Sequence, residues 1–302
     1  MLEQVRASPE VRKWALAAAP GLFVFLWSTG WISARAAAID SDPLTFLAAR
    51  FAFAGLGFAV LVAAMRAPWP RQRSAVAHAM VSGVLLHALY LGGVWWAVGQ
   101  GLPAGISAVI AATQPIMTAI LAPILLRERI SQRQWTGIAL GFVGIVIVLA
   151  PRLMAASGTD FAKLQVALLV NLGAMVSVTL GTFYQKRFIP TGDLRTTALL
   201  QYVGAVPVVL AAAYLLEPMR LALSWSSVAT MLWSVIAISL GAIMLYLWLI
   251  REGAVSKSAS LIYLVPAASA LEAWVLFGET LIPLQIAGIA VTVAGVALAT
   301  RR

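Results

Sequence analysis

Apolar runs of about twenty residues recur along the chain, cut by short stretches that hold most of its charge. With charges, prolines and glycines as the cuts, ten runs are predicted to be helices: 14–39, 44–65, 74–98, 103–126, 132–150, 164–187, 195–216, 227–250, 256–277 and 282–300. About twenty residues at ~1.5 Å each span the ~30 Å hydrocarbon core of a bilayer. The connecting stretches leave no room for a soluble domain. Arg6, Arg12 and Lys13 before the first run, and Ala36 to Ala38 at its end, imitate a secretory signal. The run is too long for a signal-peptide core, so it is expected to stay as the first helix.

Composition agrees. The 302 residues are 62% hydrophobic and 11% charged, against about 45–50% and about 25% in soluble domains. The expected fold is an all-α polytopic membrane protein. Without cysteine there are no disulfides and no thiolate sites, and two histidines, His78 and His87, are too few for a histidine-rich metal site. No metal and no cofactor is expected. A net charge of +10 would suggest nucleic acid in a soluble protein. Here the basic residues sit in short loops, so they are read as topology signals and no nucleic-acid partner is expected. Sixteen of the 21 fall on one side of the ten-helix pattern. Arg152, Lys163 and Arg220 fall on the other, and Arg35 and Arg50 lie within helices. This bias places both termini in the cytoplasm and requires an even number of helices.

The second half repeats the first at an offset of 151 residues. Pro115 meets Pro266, Glu128 meets Glu279, and Gln134, Gly137 and Gly144 meet Gln285, Gly288 and Gly295. Across 104–150 and 255–301, 12 of 47 positions are identical. Each copy holds five predicted helices, an odd number, so the second must enter the membrane from the opposite face. The expected organisation is a cytoplasmic segment 1–13, a first five-helix repeat 14–150, a connecting loop 151–163 and a second repeat 164–300. Inverted repeats recur in secondary transporters, with the substrate site near the midplane between the halves.

The pattern Pro-x12-Glu-x-(Ile/Leu)-x3-Gln-x2-Gly-x6-Gly occurs in both halves: Pro115, Glu128, Ile130, Gln134, Gly137, Gly144, then Pro266, Glu279, Leu281, Gln285, Gly288, Gly295. It resembles the doubled EamA-type domain of the drug/metabolite transporter superfamily. LWSTGWISAR (Leu26 to Arg35) and PLTFLAARFAFA (Pro43 to Ala54) resemble the same family. The resemblance covers nearly the whole chain. It implies a ten-helix inverted-repeat carrier with a central cavity lined mainly by helices 1, 3, 4, 6, 8 and 9. Among substrates it points to the amino-acid and metabolite exporters.

Several residues are candidates for that cavity. Pro115 and Pro266 each free the carbonyl four residues earlier and are expected to kink their helices as cavity or gate elements. Glu128 and Glu279, at helix C-termini, oppose the macrodipole and need a compensating contact. Arg127 and Arg129 flank the first, and nothing basic flanks the second. Trp27 and Trp31 stand one turn apart with Ser28 beside them, and Gln114 adjoins Pro115. Asn171, Thr179 and Thr182 form a polar stripe. His87 and Tyr90 lie mid-membrane in the third helix, where a histidine is a site by default. Tyr246 and Tyr263 add aromatic surface. Glu272 and Arg50 are ionisable residues whose burial costs at least about 2.5–3.5 kcal/mol, and they are candidates for coupling or counter-charge. The GxxxG of Gly137 and Gly141 reads as close helix packing, or else as the seam of a homodimer.

The leading expectation is a bacterial inner-membrane exporter of neutral and aromatic amino acids, a monomer or weak homodimer, working by alternating access. The runner-up is a proton-coupled multidrug exporter. Against it, helix 1 lacks the membrane carboxylate of small multidrug-resistance relatives. A membrane enzyme would need clustered carboxylates or histidines, and a channel would need a pore ring. No glycine-rich phosphate loop supports ATP-driven pumping.

Overall fold

The computed structural model describes residues 9–126, 131–155, 158–245 and 264–300. They form helices and no strand: α1 (Pro9–Ala37), α2 (Pro43–Ala64), α3 (Arg73–Gly99), α4 (Ala104–Ala111), α5 (Thr113–Leu126), α6 (Gln132–Ala155), α7 (Gly158–Phe188), α8 (Leu194–Leu216), α9 (Trp225–Leu245), α10 (Val265–Phe277) and α11 (Pro283–Thr300). Two stretches are π-helical, Val84–Leu89 within α3 and Trp233–Gly241 within α9. Among the described residues, six helices are long and apolar enough to cross a membrane: α2, α3 and α6 to α9. Shorter apolar helical stretches are Ala104–Thr118, Val265–Phe277 and Pro283–Ala299, and α1 runs for 29 residues. The chain is an all-helical, polytopic membrane protein.

A helix that is apolar all round belongs in lipid or in a core, and α2 shows both faces of that rule. Phe46, Phe51 and Phe58 are fully buried, whereas Phe53, Leu56 and Val60 are more than half exposed. With no contrast between protein and lipid to drive association, membrane helices depend on close packing and polar contacts. Among the described residues the most extensive pairing is α6 with α11, and α2 packs along α8. Each joins helices that the 151-residue offset equates, and each pair runs antiparallel.

In the first pair, small residues let the backbones touch. A Cβ on Gly137 would strike the amide of Ala299, and one on Gly295 the amide of Gly141. Gly144 faces Thr292, and Gly288 faces Val148. The GxxxG of α6 is thus engaged by α11 of the same chain. In the second pair, Phe51 and Phe58 both contact the ring of Tyr202, with centroids 5.5 and 5.8 Å away.

Polar contacts fasten the ends of that pair. The N-cap of α2, Asp42, makes no cap hydrogen bond of its own. Instead Glu217, just past α8, accepts from Leu44 N and Thr45 N, both at 2.8 Å. Asp42 accepts from Arg220 N at 2.7 Å and Arg220 Nη2 at 3.0 Å. At the other end Asp193 caps α8 itself, accepting from Arg195 N at 3.0 Å and Arg195 Nη2 at 2.7 Å. Thr196 there donates to Pro68 O at 3.0 Å. The hydrogen bond from the Arg195 side chain holds the Asp193 carboxyl below its ordinary value of 3.8. A carboxylate with a depressed folded value stabilises above the ordinary value and loses that contribution as pH falls through the lower one. The stability gap between wild type and Asp193→Asn, read by thermal unfolding in detergent, is therefore expected to be constant above about pH 4 and to narrow below it.

Three expectations need correction. The fourth run is broken at Ala112 into α4 and α5. The break lies next to Ala111, whose carbonyl Pro115 deprives of its donor. The stretch 151–163 is mostly helical rather than a loop, because α6 continues to Ala155 and α7 begins at Gly158. Within the expected segment 1–13, α1 begins at Pro9, which leaves that expectation as it stood. Pro266 occupies the first turn of α10, where a missing donor costs nothing. The residues before Leu264, including Tyr263, lie outside the described set, as do Tyr246 and Glu128.

Candidate functional site

The helix spacing of Trp27 and Trp31 puts both on one face of α1, and that face borders a cavity of about 70 Å³. Tyr90 enters from α3. Ala108, Ala111, Ala112, Gln114 and Pro115 come from the α4–α5 break. Val265 and Pro266 close it from α10, and Val293 and Val296 from α11. The two prolines equated by the repeat thus meet at one cavity. The broken backbone at Ala112 lies where irregular structure is tolerated at membrane depth, lining a cavity.

The chemistry of the walls is narrow. Two indoles and a phenol supply flat apolar faces, and Ala, Pro and Val supply small ones. Among the described residues, no carboxylate, ammonium or guanidinium lines the cavity. The polar side-chain groups are the Tyr90 hydroxyl, the Gln114 amide, the Trp27 indole N–H and the Trp31 indole N–H. The last is buried and has no hydrogen-bond partner, an arrangement that leaves a donor ready for an acceptor placed in the cavity.

On the side of α1 adjoining the Trp27–Trp31 face lies a polar contact between α1 and α10. Ser28 Oγ is 2.6 Å from Glu272 Oε1, and the second carboxyl oxygen is buried without a partner. Ser269 donates to Ser28 O at 3.1 Å. Further along the same pair of helices, Glu279 finds the compensating contacts its position demands. Arg35 Nε is 3.6 Å away, and the amides of Ala104 and Gly105, at the start of α4, donate at 3.4 Å. The carboxylate opposed by its own helix is therefore set against the positive end of another.

The other candidates are placed elsewhere. His87 lies in the π-helical stretch of α3, stacked on Tyr202 at 4.8 Å and edge-on to Phe51 at 5.7 Å. Arg50 is buried near it, with Nη2 donating to Ser239 at 3.2 Å and its guanidinium 5.4 Å from the Trp95 ring. Asp40 and Asp42, in the connection before α2, have other partners: Asp42 pairs with Arg220, and Asp40 accepts from Ser224 and Ser227. Asn171 exchanges hydrogen bonds with Ser107 at 3.1 and 3.3 Å. Thr179 and Thr182 donate to carbonyls of their own helix, Met175 and Val178. None of these residues lines the cavity, and among the described residues the helix 6 and helix 8 positions, α7 and α9, are absent from its wall. The contribution of α11 was not expected. Val293, Val296, Ala108 and Ala111 are small apolar residues that carry no signal in the sequence.

Residues 13–150 and 165–301 each match the model of the EamA-like transporter family. The transporter YvbV of Bacillus subtilis (strain 168) is 28% identical over 279 residues, covering 91% of this chain and 88% of its own. The inner membrane transporter YedA of Escherichia coli (strain K12) is 26% identical over 275 residues, covering 91% and 87%. A protein named "probable amino-acid metabolite efflux pump" from Salmonella typhimurium is 24% identical over 208 residues, 66% of this chain and 68% of its own. A crystal structure at 19% identity aligns over 95% of this chain and 96% of that one with a TM-score of 0.64, which shows a shared fold.

Proposed function

The chain belongs to the EamA-like transporter family, and from that premise we propose that it exports neutral and aromatic amino acids across the bacterial inner membrane. It is a transporter and not an enzyme. In this proposal two inverted five-helix halves, with both termini cytoplasmic, exchange their packing so that one central cavity opens to each side in turn. The antiparallel pairing of equated helices supports the inverted arrangement. The observation that carries the substrate reading is the cavity wall: ring faces, small apolar groups and neutral hydrogen-bonding groups, with no fixed charge among the described residues. A phosphorylated substrate would call for cations there. The printed name of the Salmonella relative points the same way.

A cavity of about 70 Å³ is well below the ~300–1,000 Å³ of typical ligand sites. The described conformation is therefore read as a contracted one that widens to admit substrate.

The test is uptake into proteoliposomes with a panel of labelled amino acids and, separately, cationic drugs, each with and without a pH gradient. Transport of no amino acid would sink the reading, and transport of drugs alone would establish the multidrug alternative. Trp31→Phe keeps an aromatic ring but removes the unpartnered N–H. It is expected to raise the half-saturation concentration about two- to tenfold, as the loss of one neutral hydrogen bond of about 0.5–1.5 kcal/mol implies.

A further inference from the structure

Ser28 Oγ lies 2.9 Å from Phe25 O as well as 2.6 Å from Glu272 Oε1. A hydroxyl has one hydrogen and can donate once. If Glu272 were ionised, Ser28 would spend that hydrogen on Oε1, and Oε2 would remain a buried anionic oxygen with no donor. If Glu272 is protonated, its O–H donates to Ser28 Oγ and Ser28 donates to Phe25 O. The network is then neutral, and the unpartnered Oε2 is an uncharged carbonyl oxygen rather than an anionic one.

The surroundings favour the neutral form. The helices packed most closely on α10 are α4 and α1. From α4 (Ala104–Ala111) no ionisable residue is available. On α1 the ionisable residues are Glu10, Arg12, Lys13 and Arg35. The first three precede Ser28 by fifteen residues or more, and Arg35 is engaged by Glu279. On α10 Glu272 stands alone. An uncompensated buried charge is expensive, so the proton is the cheapest counter-ion at hand.

We propose that Glu272 is the proton-carrying site of the transport cycle, loaded in the conformation described here and unloaded when α1 and α10 part. Trp27 and Trp31 flank Ser28 on α1 and line the cavity, and Pro266 precedes Glu272 on α10. The carboxyl is thus bonded to a residue of α1 whose neighbours along that helix line the cavity, and in this proposal widening of the cavity exposes it to water. The step is a simple transfer: the carboxyl takes a proton from water on one side of the membrane, and on the other it becomes a carboxylate and gives that proton back to water. No other bond changes. This assignment deepens the exporter reading and rests on it.

Infrared difference spectroscopy of the purified protein tests the protonation without any substrate. At neutral pH the carbonyl band of a protonated carboxylic acid is expected in wild type and absent in Glu272→Gln, a near-isosteric variant. Ser28→Ala is expected to keep the band but shift it, since the acceptor is gone. Identical wild-type and Glu272→Gln spectra, or an unmoved band in Ser28→Ala, would overturn the assignment. The coupling arm measures accumulation of labelled L-tryptophan and L-threonine in proteoliposomes with and without a pH gradient. The gradient is expected to raise wild-type accumulation several-fold and to leave Glu272→Gln unaffected. Accumulation that ignores the gradient in wild type, or an undiminished response in Glu272→Gln, overturns the coupling role. If wild type moves no amino acid, the exporter reading fails while the infrared band still decides the protonation.

Discussion

Gly295→Leu is expected to yield little or no folded protein, and Gly295→Ala to lose about 3 kcal/mol or more. The obstacle is backbone: a Cβ at this position would overlap the amide of Gly141 on α6. A flexible side chain could move aside, but a helix amide cannot move without separating the whole pair. This is the most extensive helix pairing among the described residues, so the loss spreads along its length. Gly173, on α7, has nothing within 4 Å of its would-be Cβ. Gly173→Ala is expected to stabilise by about 0.5–1 kcal/mol, the difference between the two residues inside a helix. Denaturant unfolding in detergent, followed by circular dichroism, distinguishes the pair of outcomes. Equal behaviour of the two alanine variants would show that the seam is looser than described.

The second large effect concerns transport. Ala111→Phe is expected to reduce uptake to the level of empty liposomes. Ala111 lines the cavity at the α4–α5 break. An engineered cavity of about 150 Å³ accommodates a benzene ring, so a phenyl group overfills about 70 Å³. Thermal unfolding should show a cost of about 1–3 kcal/mol, as overpacking of a core does, while the protein stays monodisperse. Uptake at the wild-type rate would show that substrate takes another path.

The runs of apolar residues foreshadow the described helices to within a few residues at most ends, because the length needed to cross a bilayer is a coarse physical constraint. The break beside Pro115 was legible for the same kind of reason: a missing donor acts locally. Within the cavity, Trp27, Trp31, Tyr90 and Gln114 could be picked out because large or polar residues are costly to place idly in a membrane. Ala108, Ala111, Val293 and Val296 could not. An alanine or valine reads alike against lipid, another helix or an open space. Long-range partners were equally hidden. Glu279 showed its need for compensation, but Arg35 lies 244 residues earlier, and only the fold joins them. His87 drew attention by its chemistry, yet its stacking on Tyr202 depends on how α3 meets α8.

The π-helical stretches have a bearing on motion. Val84–Leu89 and Trp233–Gly241 stand in corresponding places of the two halves. A π turn stores one residue more than the α-helix needs for the same length. Passing that surplus along the helix leaves the number of backbone hydrogen bonds unchanged but turns the intervening residues by about 100° around the axis. Tyr90 is the first residue beyond the stretch in α3. A surplus passed toward the C-terminal end of α3 would swing Tyr90 away from the cavity without lengthening the helix or breaking its caps. The gate at this point would then work as a dial, set by winding rather than by bending.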